Sequence, residues 1–300
     1  METVLLLPGL LVPVRPRLQV LEHMAAVIQG ETIAAVLPRT EALTTYPDAR
    51  RVELPEHVLV PGFINMHTHS AMSLLRGFAD DLDLQVWLND YIWPIEKAFL
   101  QPDFVHDGSK LAIAEMLRGG TTLFNDLYFY PEVTAATAVE SGIRASIGLP
   151  VINVPTIWAT DEEEYIDKGL QVSASWRNES LISTAFAPHA PYSVGDSALM
   201  RVAEISAEQD MRVHMHVLES SWEVQESQRQ HGRSTLKRLD DAGLLNERLL
   251  AVHMTQLDAD DVQMVSEAGV NVIHCPESNL KLGNGICPLA SLLANRINVA

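Results

Sequence analysis

The alternation of apolar and polar positions changes character near residue 58 of this 300-residue chain. Before that point short apolar runs alternate with turn formers, and residues 23–36 form a β-hairpin pattern around Gln29-Gly30-Glu31-Thr32. After it, short apolar strands alternate with longer amphipathic segments, which is typical of a parallel βα architecture. The predicted strands cover residues 59–66, 121–127, 143–149, 181–187, 211–217, 249–254 and 270–274.

Helix signals fall between these strands. The predicted helices include Asp107–Arg118, Asp196–Gln209, Ser234–Asp241 and Asp258–Ala268. Asp196 and Asp258 stand where N-caps belong, and the acidic run 161–164 is interpreted as the solvated start of another helix, where negative charge suits the helix dipole. The residues 296–300 read as the opening of an eighth strand. The pattern therefore predicts an α/β chain with a (β/α)8 TIM-type barrel that is C-terminally incomplete.

Polar side chains recur where the predicted strands end. In such barrels the active site lies at the C-terminal ends of the strands. The candidates there are His67 and His69, Asn125 and Asp126, His189, His216, His253 and His274. An isolated His-x-His pair is more often a solvated strand end, but histidines at four or five strand ends indicate a site. Imidazoles that converge from strand ends are good ligands for a divalent metal.

Residue spacing alone does not decide which histidine of the fifth predicted strand is the metal ligand. His214 and His216 both lie on the fifth predicted strand and share a face, as His67 and His69 do on the first. His216 is nearer the C-terminal end and is therefore better placed, whereas His214 is interpreted as a deeper core histidine.

Composition narrows the class of protein. A formal net charge of −18 argues against nucleic-acid or anionic-membrane partners. Cys275 and Cys287 do not form a CxxC pair, so neither a thiolate zinc site nor a disulfide framework is expected. Pro8 and Pro13 interrupt the N-terminal apolar runs, so we expect no signal peptide, no membrane span and a cytoplasmic protein. The oligomeric state, a homo-oligomer included, stays open.

Three segments resemble a known family. VLVPGFINMHTHSAMSLLRG, from Val58 to Gly77, resembles the first barrel strand of the amidohydrolase superfamily, whose Pro-Gly-Phe-x-(Asn/Asp)-x-His-x-His run carries two metal ligands. The segment 274–285 resembles the HCPxSNxKLxxG signature of the branch that holds methylthioadenosine/S-adenosylhomocysteine deaminases and triazine hydrolases. Trp87-Leu88 and Pro94-Ile95-Glu96 match the WL…PxE pattern of those deaminases. The resemblance implies residues 1–57 as the N-terminal part of a small β-sandwich domain and residues 58–300 as the barrel.

The resemblance also assigns roles. It implies one divalent metal ion, zinc in the first instance, held by His67, His69 and His216. It implies that Glu219 transfers protons and contacts the substrate, and that His253 orients the metal-bound hydroxide. It further implies that Glu96 reads the ribose, that Trp87 lines the nucleoside pocket and that His189 contacts the substrate. Ser278 and Asn279 are interpreted as loop-shaping residues, and Lys281 as a plain loop lysine.

These roles imply deamination of the adenine ring of the small-molecule nucleosides 5′-methylthioadenosine or S-adenosylhomocysteine, giving the inosyl analogue and ammonia. A rival is a triazine or guanine hydrolase of the same superfamily, yet Glu219 favours an amino leaving group and Glu96 favours a ribosyl substrate. Another rival is a non-catalytic barrel that serves as a binding module. The family's further ligand, an Asp after the eighth strand, would lie beyond Ala300, so we expect the 300-residue chain alone to bind metal weakly and to be inactive.

Overall fold

The structure, a computed structural model, describes residues 2–300. After Phe63 the chain divides into two compact units. The first unit contains β1 (Thr3–Leu11), β2 (Leu21–Glu22), β3 (Met24–Gln29), β4 (Thr32–Pro38), α1 (Arg39–Thr45) and β5 (Arg50–Leu59). Its sheet has the order β2-β1-β3-β4, and β5 pairs with β1 in parallel. The predicted hairpin is confirmed as β3 and β4, and Gly30 in its turn has a φ of 59°.

The second unit is built on one seven-stranded sheet with the order β12-β11-β10-β9-β8-β7-β6. Its strands are β6 (Phe63–Thr68), β7 (Thr121–Leu127), β8 (Arg144–Val151), β9 (Ile182–Pro188), β10 (Arg212–Val217), β11 (Leu249–His253) and β12 (Asn271–Ile273). All neighbouring pairs from β7 to β12 are parallel. The predicted opening of an eighth strand lies beside β12, where the Ala300 amide donates to the Val272 carbonyl at 3.0 Å. The TIM-type α/β architecture is thereby confirmed.

The first barrel strand differs from its predicted bounds. Leu59 ends β5, whose ladder with β1 continues to the pair Leu11–Leu59. The barrel strand begins only at Phe63, after Pro61-Gly62, because proline has no amide hydrogen to give to a ladder. This apolar run is not fully buried, since Val58 is 53% exposed and Ile64 is 58% exposed.

Helices follow the barrel strands. They are α2 (Leu84–Val86), α3 (Trp93–Phe99), α4 (Pro102–Arg118), α5 (Pro131–Ser141), α6 (Glu162–Trp176), α7 (Asp196–Gln209), α8 (Ser221–His231), α9 (Thr235–Asp241), α10 (Ala259–Ala268), α11 (Pro276–Lys281) and α12 (Leu289–Ala294). A π-helical turn (Trp87–Ile92) joins α2 to α3, and 3-10 turns cover Ser70–Leu75 and Pro191–Ser193. Among residues 2–300 no helix has the length and apolar character that crossing a membrane requires.

Helix starts test the capping predictions. Asp258 caps α10 and forms a reciprocal capping box with Asp261, as predicted. The acidic run also begins a helix, because Asp161 caps α6 by accepting from the Glu164 amide at 2.9 Å. The prediction for Asp196 is wrong, because Gly195 is the N-cap of α7 and the Asp196 carboxylate accepts instead from the buried guanidinium of Arg238 at 2.6 Å.

The barrel core lies between the strands and the helices that cover them. Its largest cluster joins β8–β12 to the inner faces of α6, α7, α9 and α10 through residues such as Phe186, Leu199 and Val265, all fully buried. At Gly148 on β8 a Cβ would lie 2.4 Å from the Asp126 carbonyl, so only glycine allows β8 to approach β7 this closely. This close packing presents the polar strand ends together at one side of the sheet.

Candidate metal and catalytic site

Imidazoles from three strands meet at the C-terminal ends of the sheet. His67 is the next-to-last residue of β6 and His69 follows that strand, His216 comes from β10, and His253 ends β11. The ring centroid of His67 lies 4.8 Å from that of His69, 4.9 Å from that of His216 and 5.6 Å from that of His253. The structure thus brings the three predicted ligands and the predicted catalytic histidine into one group. The nitrogens of His67, His216 and His253 also lie within 4.8 Å of one another.

The outer nitrogens of two of these rings are hydrogen-bonded to backbone carbonyls. His69 Nδ1 donates to the Leu127 carbonyl and His216 Nδ1 donates to the His189 carbonyl, both at 2.5 Å. A carbonyl only accepts, so each Nδ1 carries the proton and each Nε2 presents a lone pair to the interior. Metal-binding histidines show this arrangement, in which the outer hydrogen bond fixes the tautomer and the ring orientation.

The two inner nitrogens then face each other. His69 Nε2 and His216 Nε2 are 3.3 Å apart, and in these tautomers no proton lies between them. Two lone pairs at this distance repel unless a cation separates them. Tetrahedral zinc with Zn–N bonds of about 2.0–2.1 Å places two ligand nitrogens roughly 3.3–3.4 Å apart. The donor set therefore fits a divalent cation.

Burial keeps the imidazoles neutral. It lowers the pKa of His67 and of His216 well below the usual value, and neighbouring imidazoles lower both pKa values further. Burial also lowers the pKa of His253 to about 4. The hydrogen bond from its Nδ1 to Asn279 Oδ1, at 2.7 Å, opposes this shift. Neutral imidazole is the form that binds a metal, so the cluster is ready for one at neutral pH.

His214 lies behind the cluster. Its side chain is fully buried, and its Nε2 is 2.9 Å from His67 Nδ1. Burial lowers its pKa to about 3, so the ring is neutral. If His67 presents its Nε2 inward, His67 Nδ1 donates to His214 Nε2. Residue spacing did not decide which of His214 and His216 faces the site. The structure places His216 beside His69 and His214 behind His67.

Glu219 stands next to the histidines. The side chain is 6% exposed, and its Oε1 lies 3.6 Å from His253 Nε2 and accepts from Asn284 Nδ2 at 2.9 Å. Burial, followed by the nearby Glu223 carboxylate, raises the pKa of Glu219 to about 8. The carboxyl group is therefore protonated at neutral pH and able to donate a proton.

Glu223 is a contributor that the sequence reasoning missed. Its fully enclosed carboxylate accepts from the amides of Leu218 at 2.8 Å and of Glu219 at 3.0 Å. Leu218 has a φ of 51°, so these bonds hold the backbone in the left-handed region just before Glu219. The Ser-x-x-Glu run 220–223 is a capping-box signal and would have predicted this local role.

Glu96 lies in a separate part of the same region. The carboxyl group is 9% exposed and accepts from the Tyr128 hydroxyl at 2.6 Å. Burial raises its pKa to about 7, and the Tyr128 bond lowers it in part. Glu96 forms the wall of an inner cavity of 90 Å³, together with His69, Trp87 and His189. The three predicted substrate residues Glu96, Trp87 and His189 are therefore on one cavity beside the histidine cluster.

A larger outer cavity of 570 Å³ adjoins the inner one, because Trp93, Glu96, Phe129 and Ile152 line both. The inner cavity is too small for a nucleoside, whereas sites for small ligands usually measure roughly 300–1,000 Å³. The outer cavity supplies that room.

Other singled-out residues have supporting positions. Asp126 accepts from the Thr68 hydroxyl at 2.8 Å and the Ser70 amide at 2.7 Å, so it fixes the backbone on both sides of His69. Asn279 shapes the site by orienting His253, and Lys281 forms an ion pair with Asp80. His274 contributes its backbone amide to the Ala300 carbonyl at 2.7 Å.

Known proteins resemble this chain over most of its length. It is 44% identical to a 5-methylthioadenosine/S-adenosylhomocysteine deaminase of Saccharophagus degradans over 96% of this chain, and 42% identical to the one of Teredinibacter turnerae over 97%. The chain spans 65% and 66% of the length of these relatives. The crystal structure of an adenosine deaminase from Xanthomonas campestris with bound zinc superposes with a TM-score of 0.96 at 48% identity, over 99% of this chain and 68% of that one.

A family model agrees with these similarities and with the geometry. The model of the amidohydrolase family matches residues 58–300, which include all the strands that carry the histidine cluster. The predicted family resemblance is thereby confirmed. The chain belongs to the amidohydrolase family.

Proposed function

We propose that this chain carries the catalytic site of a metal-dependent hydrolase that deaminates the adenine ring of 5′-substituted adenosines, namely 5′-methylthioadenosine and S-adenosylhomocysteine. The names of the two bacterial relatives support the substrates, and the zinc-bound adenosine deaminase supports zinc as the metal. The observation that carries the proposal is the buried Glu219 carboxyl, 3.6 Å from His253, beside the inward-facing histidine nitrogens.

We assign His67, His69 and His216 as the residues that hold the ion. A bound zinc ion would lower the pKa of water to about 7 and so supply a nucleophile at neutral pH. His253 Nε2 presents a lone pair, because Nδ1 donates to Asn279 Oδ1, and so accepts a hydrogen bond that orients the attacking water.

Glu219 moves the protons in this proposal. Water first loses one proton to solvent, and addition of the resulting hydroxide to C6 of adenine forms a C–O bond and pushes an electron pair toward N1, which takes the proton of the Glu219 carboxyl; a proton from solvent restores that carboxyl after turnover. The resulting carboxylate collects a proton from the added hydroxyl and delivers it to the amino group. The C6–N bond then breaks, ammonia leaves and the inosyl ring remains. A carboxyl group with a pKa near neutrality suits both steps.

The cavity residues position the nucleoside. A carboxylate offers acceptors only, so Glu96 suits the two donor hydroxyls of a ribose. Trp87 offers an aromatic wall, and His189 projects into the same inner cavity, its Nδ1 2.8 Å from the Ser193 hydroxyl. This arrangement favours a nucleoside over a bare base or a triazine.

The decisive experiment compares ammonia release by the zinc-loaded protein extended past Ala300, so that the expected Asp after the eighth strand is present, and by its Glu219→Gln variant. Loss of general acid–base catalysis lowers turnover by about 10²–10⁴. Glu208→Gln, an exposed position on α7, is the matched control and should keep full activity. Zinc content and nucleoside affinity should be unchanged in both variants. Near-normal turnover of Glu219→Gln, or wild-type release from guanine or a triazine but from no nucleoside, would refute the proposal.

A further inference from the structure

Lys97 differs from the other lysines of the chain. The sequence contains five lysines: Lys97, Lys110, Lys168, Lys237 and Lys281. Four of them form ion pairs, namely Lys110 with Glu140, Lys168 with Glu164, Lys237 with Asp240 and Asp241, and Lys281 with Asp80. Lys97 makes no ion pair with any residue between 2 and 300, although the chain carries a net charge of −18. Its ammonium group is therefore available to an anionic group of a ligand.

The position of Lys97 indicates where an anionic group of a ligand would bind. Lys97 follows Glu96 on α3, and both residues line the outer cavity of 570 Å³. The rest of the wall is mainly apolar, with Phe129, Val154 and Ile157 among its residues. Glu96 already accepts from the Tyr128 hydroxyl, so the ammonium of Lys97 is the free charge of this cavity wall. The cavity therefore suits a ligand group with an apolar stem and a negative end.

The proposed substrate has such a group in the right place. If adenine lay at the histidine cluster and ribose at Glu96, the 5′ carbon would leave the ribose near Glu96, which lines the outer cavity as well as the inner one. S-adenosylhomocysteine carries there a thioether, two methylenes and an aminocarboxylate. 5′-Methylthioadenosine carries only the thioether and a methyl group.

We propose that the outer cavity binds the 5′ substituent and that Lys97 binds the carboxylate of S-adenosylhomocysteine, so that Lys97 sets the preference between the two nucleosides. This inference rests on the proposed function for the orientation of the substrate. The apolar wall contacts the thioether of both nucleosides, whereas the ion pair with Lys97 forms with the carboxylate alone. Lys97 is thus a specificity-determining residue and does not take part in proton transfer.

The experiment uses the zinc-loaded protein extended past Ala300 and measures the dissociation constants of three nucleosides by titration calorimetry, with kcat/KM as a second readout. The nucleosides are S-adenosylhomocysteine, 5′-methylthioadenosine and 5′-deoxy-5′-(3-aminopropylthio)adenosine, which keeps the chain and the amine but lacks the carboxylate. We expect Lys97→Met to bind S-adenosylhomocysteine roughly 3- to 10-fold more weakly, as for a partly exposed ion pair. Binding of 5′-methylthioadenosine should not change, and the carboxylate-free analogue should bind equally or more tightly.

Lys110→Met removes the same charge at the paired, distant Lys110 and should leave all three dissociation constants unchanged. Unchanged binding of S-adenosylhomocysteine to Lys97→Met, or equal losses for all three nucleosides, overturns the role of Lys97. Measuring turnover distinguishes failure of the Lys97 proposal from failure of the proposed deaminase function. Selective weakening of binding without any ammonia release supports Lys97 and refutes deamination, whereas failure of all three nucleosides to bind refutes both.

Discussion

Removal of His214 tests whether a residue behind the cluster controls metal binding. The perturbation is His214→Ala, which deletes a fully buried imidazole whose Nε2 is 2.9 Å from His67 Nδ1. No other hydrogen bond to His67 Nδ1 is found among residues 2–300, so the variant leaves this nitrogen without a partner. His67 would then lose both the fixed tautomer and the fixed ring orientation that ligation requires.

The expected magnitude follows from two estimates. An unsatisfied buried donor costs about 1–3 kcal/mol. Loss of a partner that orients a ligating histidine weakens metal affinity by about 10- to 100-fold. The first figure is a loss of unfolding free energy, whereas the second, at about 1.4 kcal/mol for each factor of ten, is a loss of roughly 1.4–2.8 kcal/mol in zinc-binding free energy. His214→Ala should therefore still bind zinc, but more weakly by one to two orders of magnitude.

The assay is competition for zinc with a chromophoric chelator, and the thermal unfolding of the metal-free protein is recorded in parallel. His216→Ala removes a proposed ligand and should lose zinc altogether under the same conditions. His57→Ala changes an exposed histidine of β5 and should match the wild type. Wild-type zinc affinity in His214→Ala, with the metal-free protein still folded, would refute this reasoning.

Three further variants have expected outcomes. Burial raises the pKa of Glu96 from 4.5 to about 7, so Glu96 destabilises the fold at any pH at which its carboxyl is ionised in the unfolded chain. Glu96→Gln should therefore have the same unfolding free energy as the wild type at pH 4 and a higher one by up to roughly 3 kcal/mol at pH 8. Thermal or urea unfolding at the two pH values measures this difference. The same variant should lower kcat/KM for nucleosides more than for free adenine, and equal losses would indicate a structural role. Tyr128→Phe removes the hydrogen bond that lowers the pKa of Glu96, so the ionisation of Glu96 in the pH profile of nucleoside binding should move to higher pH. An unchanged profile would contradict this role of Tyr128. Arg238→Met leaves the Val194 carbonyl without its donor and Asp196 without its buried partner, and should lower the unfolding free energy by about 3–5 kcal/mol. The control Arg201→Met removes an exposed ion pair and should lower it by less than about 1 kcal/mol.

Local pattern was enough for much of the architecture. The strands that carry His216 and His253 were placed from short apolar runs, since these two strands are buried along most of their length. The capping box of α10 follows from Asp258 and Asp261, because its hydrogen bonds join residues three apart. The bounds of β6 were wrong because Leu59 pairs with Leu11, a partner 48 positions away.

The candidate site shows the same division. The sequence by itself determined that His67, His69, His216 and His253 would share one region, because parallel strands of a barrel all end on the same side. Only the tertiary structure decided what holds them. His214 meets His67 across 147 positions, and Asn284 meets Glu219 across 65 positions. Such contacts depend on which strands and loops become neighbours, and residue spacing along the chain carries no record of that.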